Sequence, residues 1–402
     1  MPSTEKRAGR EDDDLPFHDL PVLKGGGGLA LLRGIRVVDL TTSVAGPYAT
    51  MLLSDFGAEV VKVERPEGDD ARGWGPPFLD GESLWFASVN RNKKSVVLDL
   101  NGEDGRAALR RLIATADVFV TNQPPAVQKK LGLDHETVRA IREDIVFTSI
   151  TGFGLDGERA NLTCYDLIAE GYSGIMDLTG EAGGPAQKVG APAADMLAGQ
   201  DAAMATIAAL YDRARSGKGR LIDVSLVESM TRFLSCRIVA YLGSGEVPTR
   251  SGGTDSVIAI YQTFETADEP LTLGLGNDAI WKRFWDAVGD PDYAARPEFS
   301  SNAQRRLHRA TIVERIQAIL KTRSREHWLA LFARTRVPAG PINGVDAVAA
   351  DAALQKRGLF YALEDGGRLV PQVGLGIRID GDPGTARSAP PGLGQHSAEL
   401  LL

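Results

Sequence analysis

Residues 35–64, IRVVDLTTSVAGPYATMLLSDFGAEVVKVE, contain two β-branched runs separated by a helix-forming stretch. The first run, Ile35–Leu40, predicts a strand, and residues 41–47 predict a turn. Residues 46–56 predict a helix that ends at Gly57, and residues 58–64 predict a second strand. A strand, a helix and a strand in direct succession indicate a parallel βαβ unit.

The same alternation continues along the next part of the chain. Further strands are predicted at residues 95–100, 117–120, 144–150 and 221–226, and helices at residues 105–115, 134–142 and 193–215. Parallel strands that are covered by helices on both faces typically appear as short, nearly continuous apolar runs. The sequence therefore predicts an α/β fold, in which a doubly wound domain is built on a parallel sheet.

Changes in composition divide the chain into four predicted regions. Residues 1–32 are predicted to be a flexible N-terminal extension, and residues 33–235 a large domain. Residues 245–336 predict a smaller α+β domain, and residues 337–402, rich in Gly and Pro, a linker and C-terminal segment. Within the small domain, strands are predicted near 258–266 and 271–276, and helices near 278–288, 303–321 and 324–335.

The overall charge and the cysteines restrict the class of protein. The 402 residues include 45 Lys and Arg against 53 Asp and Glu, a net charge of −8, which argues against a nucleic-acid partner. Cys164 and Cys236 are too far apart in sequence for a paired-cysteine metal site, and two cysteines build no disulfide framework. No apolar run is long enough to cross a bilayer, and no signal-peptide pattern precedes Leu29. We expect a cytoplasmic protein with no membrane partner.

Isolated motif matches give weak signals for other chemistries. Gly152–Gly157 has the G-x-G-x-x-G spacing of dinucleotide-binding proteins, but no apolar helix follows it, so we favour a turn and keep a dehydrogenase as a remote alternative. The histidines are scattered and flanked by polar residues, and no metal site is predicted: His18, His135, His308, His327 and His396.

A group of basic residues lies in the first half of the large domain. Several of them follow predicted strands, where the carboxyl edge of an open α/β sheet binds ligands. We therefore expect a patch that could hold a pyrophosphate, although solvated charges are the alternative interpretation. The group consists of Lys62, Arg65, Arg72, Arg91, Lys93, Lys94, Lys129 and Lys130.

Asp195 stands at the start of the long helix predicted at residues 193–215. By position alone the residue is predicted to be the N-cap of that helix. A helix N-terminus would also favour the ionised carboxylate.

Several separated motifs stand in a characteristic order along the chain. They are Gly34–Leu40, Ala45–Pro47, Leu53–Ala58, Val61–Pro66, Asn90–Ser95, Tyr165–Asp166, Gly190–Gly199, Val337–Asn343 and Ala389–His396. Together these segments resemble the class III CoA-transferases, the family of formyl-CoA and carnitine CoA-transferases, to which the α-methylacyl-CoA racemases are related. The resemblance runs from about Gly34 to the C-terminus.

The resemblance implies a Rossmann-like large domain, a smaller second domain, a C-terminal segment that returns to the large domain, and an interlinked homodimer. It implies no permanently bound cofactor; coenzyme A and acyl-CoA are substrates, together with small carboxylic acids. Carried over motif by motif, the catalytic residue is Asp195. The CoA-binding residues are Val44, Ala45, Arg65, Leu98, Asp99, Leu100, Asn101, Asn122, Lys130, Leu162, Thr163, Cys164 and Tyr165.

Two departures from the family pattern bear on the reaction. Racemases have His where this chain has Tyr165, and removal of the α-proton needs that base, so a transferase is favoured over a racemase. The glycine-rich loop of formyl-CoA transferase corresponds only to Ser251–Thr254.

The expected reaction moves coenzyme A from an acyl-CoA thioester to a carboxylic acid. It would pass through an aspartyl mixed anhydride and an aspartyl-CoA thioester on Asp195. The first alternative is an acyl-CoA racemase or epimerase of the same superfamily. Besides the remote dehydrogenase, a non-catalytic CoA-binding protein is a further alternative.

Overall fold

The computed structural model of the chain describes residues 15–401. Its strands are β1 (Val22–Leu23), β2 (Arg36–Leu40), β3 (Glu59–Glu64), β4 (Phe78–Leu79), β5 (Glu82–Ser83), β6 (Lys93–Val97), β7 (Val118–Thr121), β8 (Val146–Thr151), β9 (Arg220–Ser225), β10 (Tyr261–Phe264), β11 (Leu271–Gly274), β12 (Ala339–Pro341), β13 (Phe360–Asp365) and β14 (Arg368–Val373).

The helices in chain order are α1 (Ala45–Asp55), α2 (Leu84–Ser88), α3 (Glu103–Ala114), α4 (Pro125–Leu131), α5 (His135–Ile141), α6 (Asp166–Ser173), α7 (Ile175–Leu178), α8 (Ala193–Ser216), α9 (Leu226–Phe233), α10 (Ser235–Ser244), α11 (Asp278–Ala287), α12 (Pro291–Ala294), α13 (Asn302–Leu307), α14 (Arg309–Leu320), α15 (Arg325–Thr335), α16 (Val345–Ala349), α17 (Ala352–Lys356) and α18 (Ser397–Leu401). Short 3-10 helices lie at Pro16–Asp19, Asp70–Gly73 and Pro297–Phe299.

The chain forms two compact units. Among the described residues, the first contains 15–175, 188–242 and 349–401, and the second contains 176–187 and 243–348. The small domain predicted at 245–336 therefore also takes in residues 176–187 and 337–348. The predicted C-terminal segment, 337–402, joins the first unit only from residue 349.

A parallel sheet forms the centre of the first unit. Among residues 15–401 it has six strands in the order β6-β3-β2-β7-β8-β9, and every neighbouring pair is parallel. Val38, Val61 and Phe119 are fully buried because helices cover both faces of the sheet. The predicted α/β fold with a parallel sheet is confirmed, and each predicted strand of the large domain lies within a few residues of its predicted bounds.

Helices α1 and α8 pack closely on one another. A Cβ atom added to Gly199 of α8 would lie 2.6 Å from the carbonyl oxygen of Ala45 in α1, so this contact requires glycine. Ala198, Ala202 and Ala203 of α8 are also buried. Small side chains along α8 thus allow the close approach of its N-terminal half to the start of α1.

The second unit has its own core. Strands β10, β11 and β12 form an antiparallel sheet. Trp281, Trp285 and Phe332 are buried beside it. The single helix predicted at 303–321 is two helices, α13 and α14, because the backbone at His308 (φ −105°, ψ 17°) departs from helical geometry.

The C-terminal residues complete the first unit. Strands β13 and β14 form a hairpin, and β1 pairs with β13 in parallel. The amide of Leu32 also donates a hydrogen bond to the carbonyl of Phe56, at 2.8 Å. The prediction of a flexible extension over residues 1–32 is therefore wrong from residue 22 onward, because this segment is paired by backbone hydrogen bonds. Residues 1–14 lie outside the described part of the chain.

Candidate functional site

A cleft of about 480 Å³ opens at the carboxyl ends of β2, β3 and β6. Ligands of open α/β sheets bind at such an edge. Arg65 and the segment Leu98–Asn101, both predicted to bind CoA, line this cleft together with Thr41 and Thr42. The structure thus brings these predicted residues together, although they come from the ends of two different strands.

The Arg65 side chain is 55% exposed at the mouth of the cleft. Its guanidinium forms ion pairs with Asp70 and, at 3.8 Å, with Glu67. Both acidic residues belong to the loop that follows β3. Exposed pairs of this kind contribute little stability, so the guanidinium can exchange them for an anionic ligand at small cost.

Asn122 fixes the turn between β2 and α1. Its side-chain oxygen accepts a hydrogen bond from the Thr42 amide at 3.1 Å, and its side-chain nitrogen donates to the Thr42 carbonyl at 2.8 Å. Val44 and Ala45, at the start of α1, are buried. Thr42 lines the cleft, whereas the predicted CoA-binding residues Val44, Ala45 and Asn122 do not.

The remaining predicted CoA-binding residues do not line the cleft. Lys130 is exposed on α4, and Leu162, Thr163, Cys164 and Tyr165 precede α6. Asn161, at the start of this segment, accepts a hydrogen bond from the Ala126 amide of α4 at 3.2 Å. The structure thus groups the segment with α4, whose last residue, Leu131, lines the cleft.

Four of the eight basic residues predicted to bind a pyrophosphate are committed to internal ion pairs. Lys62 contacts Asp69 at 2.8 Å, Lys93 contacts Asp39 at 3.1 Å, and all four side chains are fully buried. Arg91 pairs with Asp55 and Arg72 with Glu64, whose carboxylates are also buried. Lys94 pairs at the surface with Glu59 and Glu399. The prediction of one ligand-binding patch is therefore wrong, because four of its cations lie beside buried carboxylates.

The pair of Lys62 and Asp69 supports the floor of the cleft. The Lys62 ammonium also donates to the Thr41 carbonyl at 2.8 Å, and Asp69 accepts a hydrogen bond from the Ser43 amide at 3.0 Å. Ser43 has a φ of 71°, a conformation that a serine rarely adopts. Buried, charge-assisted hydrogen bonds thus hold a strained turn in place at the start of α1.

Asp195 lies in the first turn of α8, but it is not the N-cap. The helix begins at Ala193, and Pro192 occupies the cap position without a capping side chain. Instead, Asp166 of α6 accepts hydrogen bonds from the amides of Ala194 (2.8 Å) and Asp195 (3.2 Å). The N-cap prediction is therefore wrong, because a carboxylate 29 positions earlier in the chain satisfies the amides at the head of this helix.

The environment of Asp195 keeps its carboxyl group partly protonated near neutral pH. Burial, and then the charge of Asp166, raise its pKa from 3.8 to about 7. The expectation that the helix N-terminus favours the ionised form is wrong, because burial and then the charge of Asp166 raise the pKa of this carboxyl. Burial and the nearby Asp195 raise the pKa of the Cys164 thiol to about 11, so this thiol is neutral.

Cys164 brings the segment before α6 close to the carboxyl end of β8. A Cβ atom on Gly152 would lie 2.1 Å from the Cys164 Cβ, so the contact requires glycine at position 152. The charge of Asp195 acts on the thiol of Cys164, which is one of the predicted CoA-binding residues.

Sequence reasoning missed the part that Asp166 and Glu170 play. They are one turn apart on α6, and Glu170 is fully buried. Their i, i+4 spacing places both on one helix face, and that spacing was the available signal.

The structure also bears on the other motifs that the sequence contains. No helix begins directly after Gly152–Gly157; the next one is α6 at Asp166, so the dinucleotide motif lacks its structural context. Ser251–Thr254 is a turn in the second unit, closed by mutual hydrogen bonds between Ser251 and Thr254. In the described residues, no cluster of His, Cys, Asp and Glu could hold a metal ion. Over the same residues, no helix has the length and apolar character needed to cross a membrane.

The site combines a ligand cleft at the sheet edge with a partly buried carboxyl, that of Asp195, in the first turn of a helix. Residues 32–397 match the sequence model of CoA-transferase family III, and the chain belongs to that family. It is a class III CoA-transferase.

Named relatives and a solved structure agree with this assignment. The chain is 38% identical to a succinate–glutarate CoA-transferase of Agrobacterium fabrum, covering 92% of this chain and 94% of the relative. It is 34% identical to an acetyl-CoA:oxalate CoA-transferase of Acetobacter aceti, covering 91% and 94%. The crystal structure of a CaiB/BaiF family protein from Brucella suis is 38% identical and superimposes with a TM-score of 0.81, covering 92% of this chain and 98% of that chain.

Proposed function

We propose that Asp195 is the covalent nucleophile of the CoA transfer. The observation that carries this proposal is its position: a carboxyl group at the head of α8, largely buried, with Asp166 fixing its backbone. Burial keeps water from stabilising the carboxylate, and a poorly solvated carboxylate is a stronger nucleophile. With a pKa of about 7, a large part of the enzyme carries the reactive ionised form at neutral pH.

The proposed reaction begins when the Asp195 carboxylate attacks the carbonyl carbon of the donor thioester. The carbon–sulfur bond breaks, CoA leaves as a thiolate, and a mixed anhydride forms. The thiolate then attacks the aspartyl carbonyl, which releases the donor acid as its carboxylate and leaves an aspartyl-CoA thioester. The acceptor carboxylate attacks that thioester, and the departing thiolate finally attacks the acceptor carbonyl of the new anhydride. Acceptor-CoA and the free Asp195 carboxylate result.

We also propose that CoA lies along the carboxyl edge of the sheet, in the cleft that contains Arg65 and Leu98–Asn101. The strand order of the first unit is that of Rossmann-like proteins, which bind the pyrophosphate of their ligands at this edge. Arg65 is the exposed cation there. A guanidinium forms strong, bidentate hydrogen bonds to phosphate oxygens.

Calorimetry with CoA tests this placement. Replacing Arg65 with Ala should weaken binding by about 1.5–3 kcal/mol, the contribution of a hydrogen bond to a charged group. Arg110→Ala is the matched control, since Arg110 is exposed on α3 and pairs with Glu103 away from the cleft. Unchanged affinity in Arg65→Ala would contradict the placement.

An interlinked homodimer is proposed as the working form. Large apolar side chains remain exposed on helices of the first unit: Met204 and Tyr211 of α8, Phe233 of α9 and Leu242 of α10. Exposed apolar surface on neighbouring helices is typical of an interface. Light scattering on active protein at micromolar concentration should give twice the mass of the chain, and a strictly monomeric mass would refute the dimer.

The proposed acceptors are small dicarboxylic acids. Support comes from the names of the relatives, which specify glutarate or oxalate as the acid. A panel of acyl-CoA donors and carboxylic acids, analysed by mass spectrometry, should give the highest rates with dicarboxylates of this size. Higher rates with monocarboxylates would contradict this choice.

The nucleophile is tested by trapping. Hydroxylamine added during turnover should convert Asp195 into a hydroxamate, since anhydrides and thioesters both react with it. Asp195→Asn should lose CoA transfer while keeping its fold and CoA affinity. Asp201→Asn, on the same helix, is the control and should retain transfer. Near wild-type transfer by Asp195→Asn would overturn the proposal, and exchange of the α-proton of a 2-methylacyl-CoA in deuterated water would favour a racemase.

A further inference from the structure

Glu170 is a buried carboxyl group that the proposed mechanism leaves without a role. It lies one turn after Asp166 on α6, and its side chain is fully shielded from solvent. One oxygen, Oε2, accepts a hydrogen bond from the Val189 amide at 2.9 Å. The other oxygen, Oε1, is buried and has no hydrogen-bond partner among the described residues.

The nearest acidic group on the same face of α6 is the carboxyl of Asp166, one turn earlier, and its charge acts on Glu170. Two ionised carboxylates only accept hydrogen bonds, so they would repel one another at this place. A single proton between them turns the repulsion into a hydrogen bond, as in other buried carboxyl pairs.

The proton belongs on Glu170. Asp166 already accepts two amide hydrogen bonds from the head of α8, whereas one amide faces Glu170. Burial raises the pKa of Glu170 most and the charge of Asp166 raises it further, whereas the hydrogen bond from the Val189 amide and the charge of Lys188 lower it. The other groups close to this pair are Asp195 and the neutral thiol of Cys164.

We propose that Glu170 is a positioning residue: in its protonated form it donates a hydrogen bond to Asp166 and thereby fixes Asp166 on the amides of Ala194 and Asp195. The inference rests on the proposed role of Asp195 as the nucleophile. Its consequence is that Asp195 faces one negative charge rather than two. A second hydrogen bond, which Oε2 of Glu170 accepts from the Val189 amide, ties α6 to the segment that leads into α8.

The variant that tests the proton is Glu170→Gln. The amide of Gln can donate to Asp166 and accept from Val189, which reproduces the hydrogen bonds of a neutral Glu. We expect kcat within about twofold of wild type and an unchanged acid limb of the pH–rate profile. If Glu170 were ionised, the substitution would remove a negative charge and would move that limb toward lower pH by about 1 unit or more. Such a shift would overturn the inference.

The variant that tests positioning is Glu170→Leu, which has a similar volume but neither donates nor accepts hydrogen bonds. We expect a loss of at least about tenfold in kcat with CoA affinity retained, because Asp166 is no longer held. A kcat within twofold of wild type would overturn the inference.

Infrared spectroscopy gives a readout that needs no turnover and no intact nucleophile. The difference spectrum of wild type minus Glu170→Gln, taken about one unit above neutral pH, should contain the carbonyl stretch of a protonated carboxylic acid. The same band should remain in Asp195→Asn. Absence of the band would refute the proposal that Glu170 is protonated. If the band is present but hydroxylamine traps no adduct on Asp195, only the proposal that Asp195 is the nucleophile is refuted.

Discussion

Replacing Asp195 with Asn should make the protein more stable, although it removes the proposed nucleophile. The folded protein holds the pKa of this carboxyl at about 7, against 3.8 as the ordinary value. The folded state therefore binds the proton more tightly than the unfolded chain does. Between these two values the stability falls as the pH rises, and it is lowest above pH 7.

The size of the effect follows from the two pKa values. Each pKa unit corresponds to about 1.4 kcal/mol, so ionised Asp195 costs the folded state at most about 4 kcal/mol above pH 7. Asn has no charge to bury, but its amide can leave a hydrogen bond unmade, at about 1 kcal/mol. We therefore expect a net gain of about 2–3 kcal/mol at pH 8 and little or no gain near pH 4.

The assay is urea unfolding, followed by circular dichroism, of wild type and Asp195→Asn at several pH values from about 5 to 8. The free-energy difference between the two proteins should grow with pH and level off above pH 7. Asp201→Asn is the control on the same helix, where the side chain accepts a hydrogen bond from Ser229 at 2.8 Å and pairs with Arg232. It should be neutral or destabilising. A stability difference for Asp195→Asn that does not change with pH would refute the reasoning.

Three further substitutions test the supports of the fold. Lys62→Met leaves the buried carboxylate of Asp69 without its cation and should lower the free energy of unfolding by about 3–5 kcal/mol in urea titrations. Gly199→Ala places a Cβ atom 2.6 Å from the Ala45 carbonyl oxygen. This substitution should lower the free energy of unfolding by about 1–3 kcal/mol, measured by thermal unfolding, and should slow CoA transfer, measured by initial rates. No change in either quantity would contradict the close contact. Trp281→Ala empties a buried position in the second unit and should cost about 3–5 kcal/mol in the unfolding of that unit, read by tryptophan fluorescence.

The central sheet could be predicted from the sequence because its strands are buried on both faces. Val118–Thr121 and Val146–Thr151 are entirely buried, so each is a nearly continuous apolar or small run. The edge strand Arg220–Ser225 is half exposed, yet Gly217 and Gly219 still indicate its start. Local sequence carries this information, because burial on two faces constrains every residue of a strand.

The candidate site could be predicted only in part, since its decisive contacts join distant residues. A lysine in a strand is normally assigned to solvent, and nothing near Lys93 in sequence indicates that Asp39 will neutralise it inside the sheet. Likewise, the cap of α8 comes from Asp166 on another helix. The position of Asp195 was available through its likeness to a family motif, whereas the environment of its carboxyl group required the three-dimensional structure.

The pairing of β1 with β13 has a consequence for how the protein is made. Leu23 leaves the ribosome long before its partner Leu363, which lies 340 positions later in the chain. At about 5–20 residues per second, the first strand waits roughly 20–70 s for its neighbour. During that time the second unit, whose residues end at 348, can fold behind it while the first unit stays open. A ribosome-bound chain halted before residue 349 should therefore protect the second unit from protease but leave the first unit sensitive.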